Sequence, residues 1–102
     1  MKKAPKFKIS DYHLDKAEKL GVTINYSKNK LKKLDVFKNG KKIASIGATG
    51  YWDYISYLKA ETQGYFPKGH AERRRKLYKI RHEKEINQSV NTAGFLAYKI
   101  LW

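Results

Sequence analysis

The four arginines of this chain all lie within nine residues, Arg73 to Arg81, whereas its nineteen lysines are spread over most of the sequence. Arginine presents a planar group of five donors that binds carboxylates or phosphates and stacks on aromatic rings, and lysine presents a hydrated point charge. The change from lysine to arginine in the stretch AERRRKLYKIRHEKE therefore indicates a surface that binds carboxylates or phosphates. A solvated face with internal ion pairs is the alternative.

Catalysis would need other residues, and few are present. The three histidines are His13, His70 and His82. His82 lies beside Glu83 and Glu85, but no second histidine follows at metal-ligand spacing, and the chain has no cysteine. The string GATG lacks the lysine of a phosphate-binding P-loop, and no paired carboxylates that could hold a catalytic metal ion are visible. We expect no enzyme activity, no catalytic residues, no cofactor and no metal site.

The net charge of +14 predicts attraction to polyanions or to an acidic protein. At low salt such a chain binds nucleic acid without sequence preference. The lysines near the N-terminus and around the predicted hairpin form a candidate polyanion-binding set: Lys2, Lys3, Lys6, Lys8, Lys30, Lys32, Lys33, Lys41 and Lys42.

At 102 residues, the chain has room for one domain. No apolar stretch is long enough to span a bilayer, so we expect no membrane partner. The start, MKKAPKFKISDYH, has no apolar core of a secretory signal. The lack of cysteine agrees with a reducing compartment.

The elements that must position the arginines are strands early in the chain and helices late. SDYHLDKAEKLG predicts a short first helix, and Asn39-Gly40 between two alternating runs predicts a hairpin turn. Asp53 should cap a helix that runs to about Thr62, the arginine helix should cover about 71 to 88, and a last helix should begin near Thr92. The fold class is α+β, with a small antiparallel sheet packed against three to four short helices. Residues 1 to 9 are predicted to form a basic arm and residues 10 to 102 a single domain.

A helix over residues 71 to 88 places Arg74, Tyr78, Arg81 and Glu85 on one face. Leu77 and Ile80 form a narrow apolar edge, which is thinner than the stripe of an ordinary core-facing helix. The pattern predicts a helix that lies on the surface, buries this edge and presents its arginines. Under the solvated alternative, Arg81 would pair with Glu85.

Six aromatic rings fall between residues 51 and 66, just before the arginines. At least half of them should be core, but Tyr, Trp and Arg together are also enriched in protein interfaces. A platform that stacks on bases is the alternative. The predicted partner interface comprises Arg73, Arg74, Arg75, Tyr78, Arg81, His82, Tyr51, Trp52 and Tyr54. The segment TAGFLAYKILW is apolar all round and is predicted to be buried, in its own core or in a neighbour.

The strings GATGYWDYI, RRRKLYKIRHEKE and NTAGFLAYKILW resemble a family of small basic proteins of unassigned biochemistry. These proteins are encoded by nucleocytoplasmic large DNA viruses and by some tailed phages, including crAss-like phages. The resemblance covers about residues 36 to 102. The matching positions are Gly50, Tyr51, Asp53 and Tyr54; Arg75 or Arg74, Tyr78, Arg81 and His82; and Thr92, Ala93, Gly94, Leu101 and Trp102.

The resemblance implies a viral protein associated with the particle. We expect an auxiliary capsid component, bound to the major capsid protein or to another virion protein through the arginine and tyrosine face. Its expected location is the virion, and the host cytoplasm during assembly. Self-association on the capsid lattice and non-specific contact with nucleic acid are further expectations. A non-enzymatic DNA-binding or genome-packaging protein is the alternative.

Overall fold

The computed structural model describes residues 4 to 87 and 92 to 102. Within them a three-stranded antiparallel sheet and four α-helices form one domain, which confirms the predicted α+β class. In chain order the elements are α1 (Asp11–Lys19), β1 (Thr23–Tyr26), β2 (Lys32–Lys38), β3 (Lys41–Ala48), α2 (Tyr54–Thr62), α3 (His70–Arg81), a 3-10 helix (Glu83–Asn87) and α4 (Ala93–Ile100). No helix in the described part of the chain is both long and apolar enough to cross a membrane.

The sheet has the order β1-β2-β3, and its central hairpin turns at Asn39 and Gly40 as predicted. Both residues have positive φ angles, 52° and 80°, which a type I′ turn requires. Strand β2 is buried on both faces, because its side chains alternate between two covered sides of the sheet. Leu34 and Val36 lie on one side, whereas Lys33 and Asp35 lie on the other.

The buried polar side chains of β2 form hydrogen bonds within the domain. Asp35 accepts hydrogen bonds from the hydroxyls of Ser45 at 2.6 Å and Ser27 at 2.7 Å, and these bonds lower the pKa of its carboxyl below the ordinary value. Lys33 donates to Asp53, the residue that caps α2, at 3.0 Å. Asp53 also accepts from the Ser56 backbone N–H, so one carboxylate joins the sheet to the first turn of α2.

The C-terminal segment belongs to the domain's own core. Leu96, Ile100 and Leu101 are at most 2% exposed, and Trp102 is also buried. Leu101 packs against Gly47 of β3 so closely that a Cβ added to this glycine would lie 2.8 Å from the leucine Cδ1. Of the two alternatives for this apolar helix, the structure shows packing within the same chain.

The arginine helix, α3, differs from its prediction in length and in its buried face. It ends at Arg81, a 3-10 helix follows, and Gln88 lies outside the described residues. The predicted apolar edge is wrong, because Leu77 is 37% and Ile80 70% exposed, whereas Ala71 is fully buried and Tyr78 packs against the core. The large ring of Tyr78 offers more apolar area to the core than either aliphatic side chain.

The alternative in which Arg81 pairs with Glu85 is also wrong. Helix α3 ends between the two residues, so the one-turn spacing that would bring them together is lost. Glu85 instead places Oε1 3.5 Å from Nδ1 of His82.

Residues 4 to 9 of the predicted basic arm lie along the domain. Phe7 and Ile9 pack against the core, the Ile9 backbone N–H donates to the Tyr26 hydroxyl at 3.1 Å, and Ala4 N–H donates to the Gly50 carbonyl at 3.3 Å. The two apolar side chains between the lysines account for this packing. The first three residues of the arm lie outside the described part of the chain.

Candidate binding groove beside the arginine helix

A groove of about 410 Å³ runs between α3 and the segment that leads into α2. We call it the arginine groove. Its lining combines two arginines with six rings and contains no acidic side chain among the described residues: Arg74, Arg81, Tyr51, Trp52, Tyr57, Tyr78, His82 and Trp102, together with Gly50 and Leu77. The surface is therefore both positively charged and aromatic.

Tyr78 is the centre of the aromatic lining. Its ring stacks on Trp102 on one side, at 4.4 Å between centroids and 9° between planes, and on His82 at 4.1 Å and 23°. Burial, with a smaller effect from Glu85, raises the pKa of the Tyr78 hydroxyl to about 12. The phenol is therefore neutral at physiological pH. Trp52 stacks on Tyr57 at 5.1 Å and 18° and extends the aromatic wall.

Neither groove arginine is neutralised by its own fold. The Arg74 guanidinium lies 5.6 Å from the Tyr57 ring centroid, and its Nε is buried without a hydrogen-bond partner among the described residues. Arg81 is exposed, and the described part of the chain places no carboxylate in ion-pair contact with either residue. Glu72, two residues before Arg74, lies on another side of α3 and contacts Arg75 at 3.8 Å. Two guanidinium groups thus remain available to an external anion.

Six of the nine residues predicted as the partner interface line the groove: Tyr51, Trp52, Arg74, Tyr78, Arg81 and His82. The other three lie elsewhere. Arg73 is exposed outside the groove, and Arg75 stacks on Tyr54 at 4.8 Å on the other flank of α3. The difference follows from the helical period, since Arg73, Arg74 and Arg75 point about 100° apart.

The predicted interface omits two rings of the groove lining, Tyr57 and Trp102, besides Gly50 and Leu77. By sequence, Tyr57 is counted only among the six rings that precede the arginines, and Trp102 is assigned only to a buried C-terminal segment. Both are indeed buried, at 3% and 9% exposure, but each still presents part of its ring to the groove. The resemblance that covers Trp102 is the only sequence signal pointing to it.

The lysines predicted to bind polyanions are not equivalent. Lys33 is buried and paired with Asp53, so it is not available to a polyanion on the surface. Those that remain exposed lie along the N-terminal stretch and the hairpin: Lys6, Lys8, Lys30, Lys32, Lys41 and Lys42. Lys2 and Lys3 lie outside the described residues.

The groove's chemistry is that of binding. Guanidinium groups recognise carboxylates and phosphates, and stacked rings recognise flat or apolar groups. Within residues 4 to 87 and 92 to 102, no three histidine, aspartate or glutamate side chains are placed to hold a metal ion. Comparisons with family models, with curated proteins and with solved structures found no match to this chain.

Proposed function

We propose that this protein is an auxiliary structural component of a viral particle that binds the major capsid protein through the arginine groove. The viral role rests on the sequence resemblance described above. The observation that carries the docking role is the pair of unneutralised guanidiniums, Arg74 and Arg81, at the wall of a groove built from stacked rings. Interfaces concentrate their binding energy in Tyr, Trp and Arg, and this groove contains all three.

The groove defines the chemistry of the partner segment. Its guanidiniums suit a carboxylate, which is the anionic group that a protein partner offers, and its rings suit an apolar or flat side chain next to that carboxylate. An exposed loop with Asp or Glu beside an apolar residue meets both requirements. The rings are already packed against one another, so little side-chain freedom is lost when such a loop binds.

The test replaces the planar guanidinium groups of Arg74 and Arg81 with lysine ammonium groups, which are point charges. Arg74→Lys together with Arg81→Lys keeps the net charge but loses the forked hydrogen bonds and the stacking. We expect this double variant to be incorporated into particles less than the wild type, by an amount that corresponds to about 1.5–3 kcal/mol per lost charged hydrogen bond. The measurement is the amount of this protein relative to the major capsid protein in purified particles.

Arg73→Lys is the matched control, because Arg73 is exposed and lies outside the groove. It should be incorporated at the wild-type level. If the double variant is incorporated as well as the control, the groove is not the docking site. If in addition Arg74→Gln with Arg81→Gln loses DNA binding, the two arginines serve a phosphate partner, and the alternative of a DNA-binding protein replaces this proposal.

A further inference from the structure

Helix α3 separates two basic flanks. Ala71 and Tyr78, about two turns apart, point into the domain and define its buried line. Arg74 and Arg81 lie on the flank that faces the groove, whereas Arg75 and Lys79 lie on the opposite flank. The second flank is not part of the groove and is not explained by it.

Two further lysines, from different helices, lie close enough to Lys79 to lower its pKa. Lys16 comes from α1 and Lys99 from α4. Three of the four cations lie over tyrosine rings: Arg75 over Tyr54 at 4.8 Å, Lys79 over Tyr98 at 5.2 Å and Lys16 over Tyr12 at 5.3 Å. The rings of Tyr12 and Tyr54 are themselves 5.4 Å apart. We call Lys16, Arg75, Lys79 and Lys99 the three-helix cluster.

The members of the three-helix cluster repel one another. The pKa of Lys16 is lowered, first by partial burial and next by Arg75, with a further effect of Lys99. Lys79 responds in the same way, its pKa lowered by burial and then by Arg75, Lys16 and Lys99. The acidic groups nearby compensate only in part, since Glu72 is 3.8 Å from Arg75 and largely exposed, and Asp15 pairs with Lys19.

The fold thus brings four cations from three helices together, and among the described residues Glu72 and Asp15 offset their charge only in part. All four side chains are partly exposed, so an external anion has access to them. Three of them pack against tyrosine rings and Lys99 lies 5.8 Å from the Phe95 ring centroid. These ring contacts restrict the side chains, which lowers the entropy lost when an anion binds. Bound anionic oxygens would relieve the repulsion between the four side chains.

We propose that the three-helix cluster binds the phosphodiester backbone of nucleic acid without sequence preference. Three of its four cations are lysines from three different helices, and lysine acts on phosphate as a point charge that neutralises the backbone without reading its sequence. A peptide carboxylate would be met better by the guanidiniums of the arginine groove. The cluster is separate from that groove, so the protein can hold a particle protein and nucleic acid at the same time. This nucleic-acid site is distinct from the lysine set expected from the sequence, of which it contains no member.

The experiment compares two triple variants of equal net charge. Lys16→Gln, Lys79→Gln and Lys99→Gln together remove three charges from the cluster, and Lys30→Gln, Lys32→Gln and Lys41→Gln remove three exposed charges from the hairpin region. The probe is a short duplex DNA of mixed sequence, titrated at several salt concentrations. For the cluster variant we expect the slope of log affinity against log salt to fall in magnitude by about one per lysine, and for the hairpin variant by much less.

If the slope of log affinity against log salt falls equally in the two triple variants, the proposal is overturned, because DNA binding would then follow net charge alone. Circular dichroism and thermal unfolding verify that each variant is folded, and the single variant Lys79→Gln replaces the triple if the triple unfolds. Its expected slope change is about one. The last measurement uses vesicles of phosphatidylserine. If the protein binds these vesicles more tightly than DNA, and the cluster variant loses this binding, the nucleic-acid assignment is overturned.

Discussion

The Nζ atom of Lys33 lies 3.0 Å from Oδ2 of Asp53, and the two side chains are only 5% and 3% exposed. Lys33 belongs to the central strand and Asp53 to the cap of α2, so the ion pair joins the sheet to the helices. The same ammonium donates to the backbone carbonyl of Tyr51 at 2.7 Å. Because Tyr51 lines the arginine groove, the position of one groove wall depends on this buried pair.

Replacing one partner of this pair should destabilise the protein strongly. Lys33→Met leaves the Asp53 carboxylate buried without its cation, and such a change costs about 3–5 kcal/mol. The free energy of unfolding, measured by denaturant titration, gives the value directly. The neighbouring exposed residue supplies the control, since Lys32→Met should change stability by no more than about 0.5 kcal/mol. Similar values for the two variants would show that the pair does not stabilise the fold.

Local turn and cap signals in the sequence predict the hairpin and the start of α2 correctly. Asn39-Gly40 specified the hairpin because few other dipeptides tolerate two positive φ angles, and Asp53 specified the start of α2 because its side chain can accept from the Ser56 backbone N–H. Both signals depend on residues a few positions apart. Local chemistry of this kind is visible without knowledge of the tertiary fold.

The predictions that were wrong concern side chains whose burial is decided by contacts between residues distant in the chain. The buried face of α3 depends on the stack of Tyr78 on Trp102, and Lys33 is buried because it pairs with Asp53. A lysine in a basic run is ordinarily exposed, so no local pattern distinguishes Lys33 from Lys32. Six of the nine residues of the predicted interface line the groove, since the helical period places Arg74, Tyr78 and Arg81 on one face and turns Arg73 and Arg75 away from it.

The contact between Gly47 and the C-terminal core can be tested with a pair of glycines. Gly47 and Gly40 have nearly the same φ, 77° and 80°, but a Cβ at Gly47 would lie 2.8 Å from Leu101 and 2.9 Å from Lys33, whereas nothing lies within 4 Å of one at Gly40. Gly40→Ala should therefore cost only backbone strain, about 1–2 kcal/mol. Gly47→Ala should cost a further 1–3 kcal/mol, roughly, for overpacking.

Denaturant titration of the two glycine variants measures both values. The difference between them isolates the close approach of Leu101 from the strain that the two positions share. Equal losses of stability would mean that the C-terminal segment shifts away at no cost, and that its packing against β3 is not tight.

His13 should make the fold sensitive to mild acid. Its ring is fully buried, and burial lowers its pKa below 6.5, with a smaller opposing effect of Asp53 and smaller lowering effects of Lys33 and Lys59. Its Nδ1 accepts the Ser10 backbone N–H at 3.0 Å, so the proton of the neutral ring lies on Nε2. The unfolded chain then binds a proton more readily than the folded one. Stability is complete above pH 6.5 and should fall as the pH decreases below it.

Unfolding titrations between about pH 7.5 and 5.5 test this dependence, because the aspartates and glutamates ordinarily titrate below that range. His13→Gln retains a side-chain acceptor at the third helical position and removes the titrating group. The variant should lose less stability than the wild type over this interval. A parallel decline in both proteins would assign the acid sensitivity to other groups.

Tyr78 should make the fold sensitive to base, and the same residue organises the groove. Its pKa of about 12 lies above the ordinary value of 10.0, so the folded state retains the phenolic proton over an interval in which the unfolded chain releases it. Stability is therefore complete below pH 10 and should decline as the pH rises towards 12. Burial also raises the pKa of Tyr12, which adds to the decline.

Tyr78→Phe removes the ionisable hydroxyl but keeps a ring that can stack on Trp102 and His82. Thermal unfolding followed between about pH 9 and 11, around the ordinary tyrosine pKa, should show a shallower decline in this variant than in the wild type. Tyr51→Phe is the control, because the Tyr51 ring is 71% exposed and this change leaves the buried Tyr78 hydroxyl in place. If the two variants decline alike, the Tyr78 hydroxyl is solvated. The stack at the centre of the arginine groove would then be open to water, and a carboxylate bound beside Arg74 would gain less from a dry aromatic surrounding.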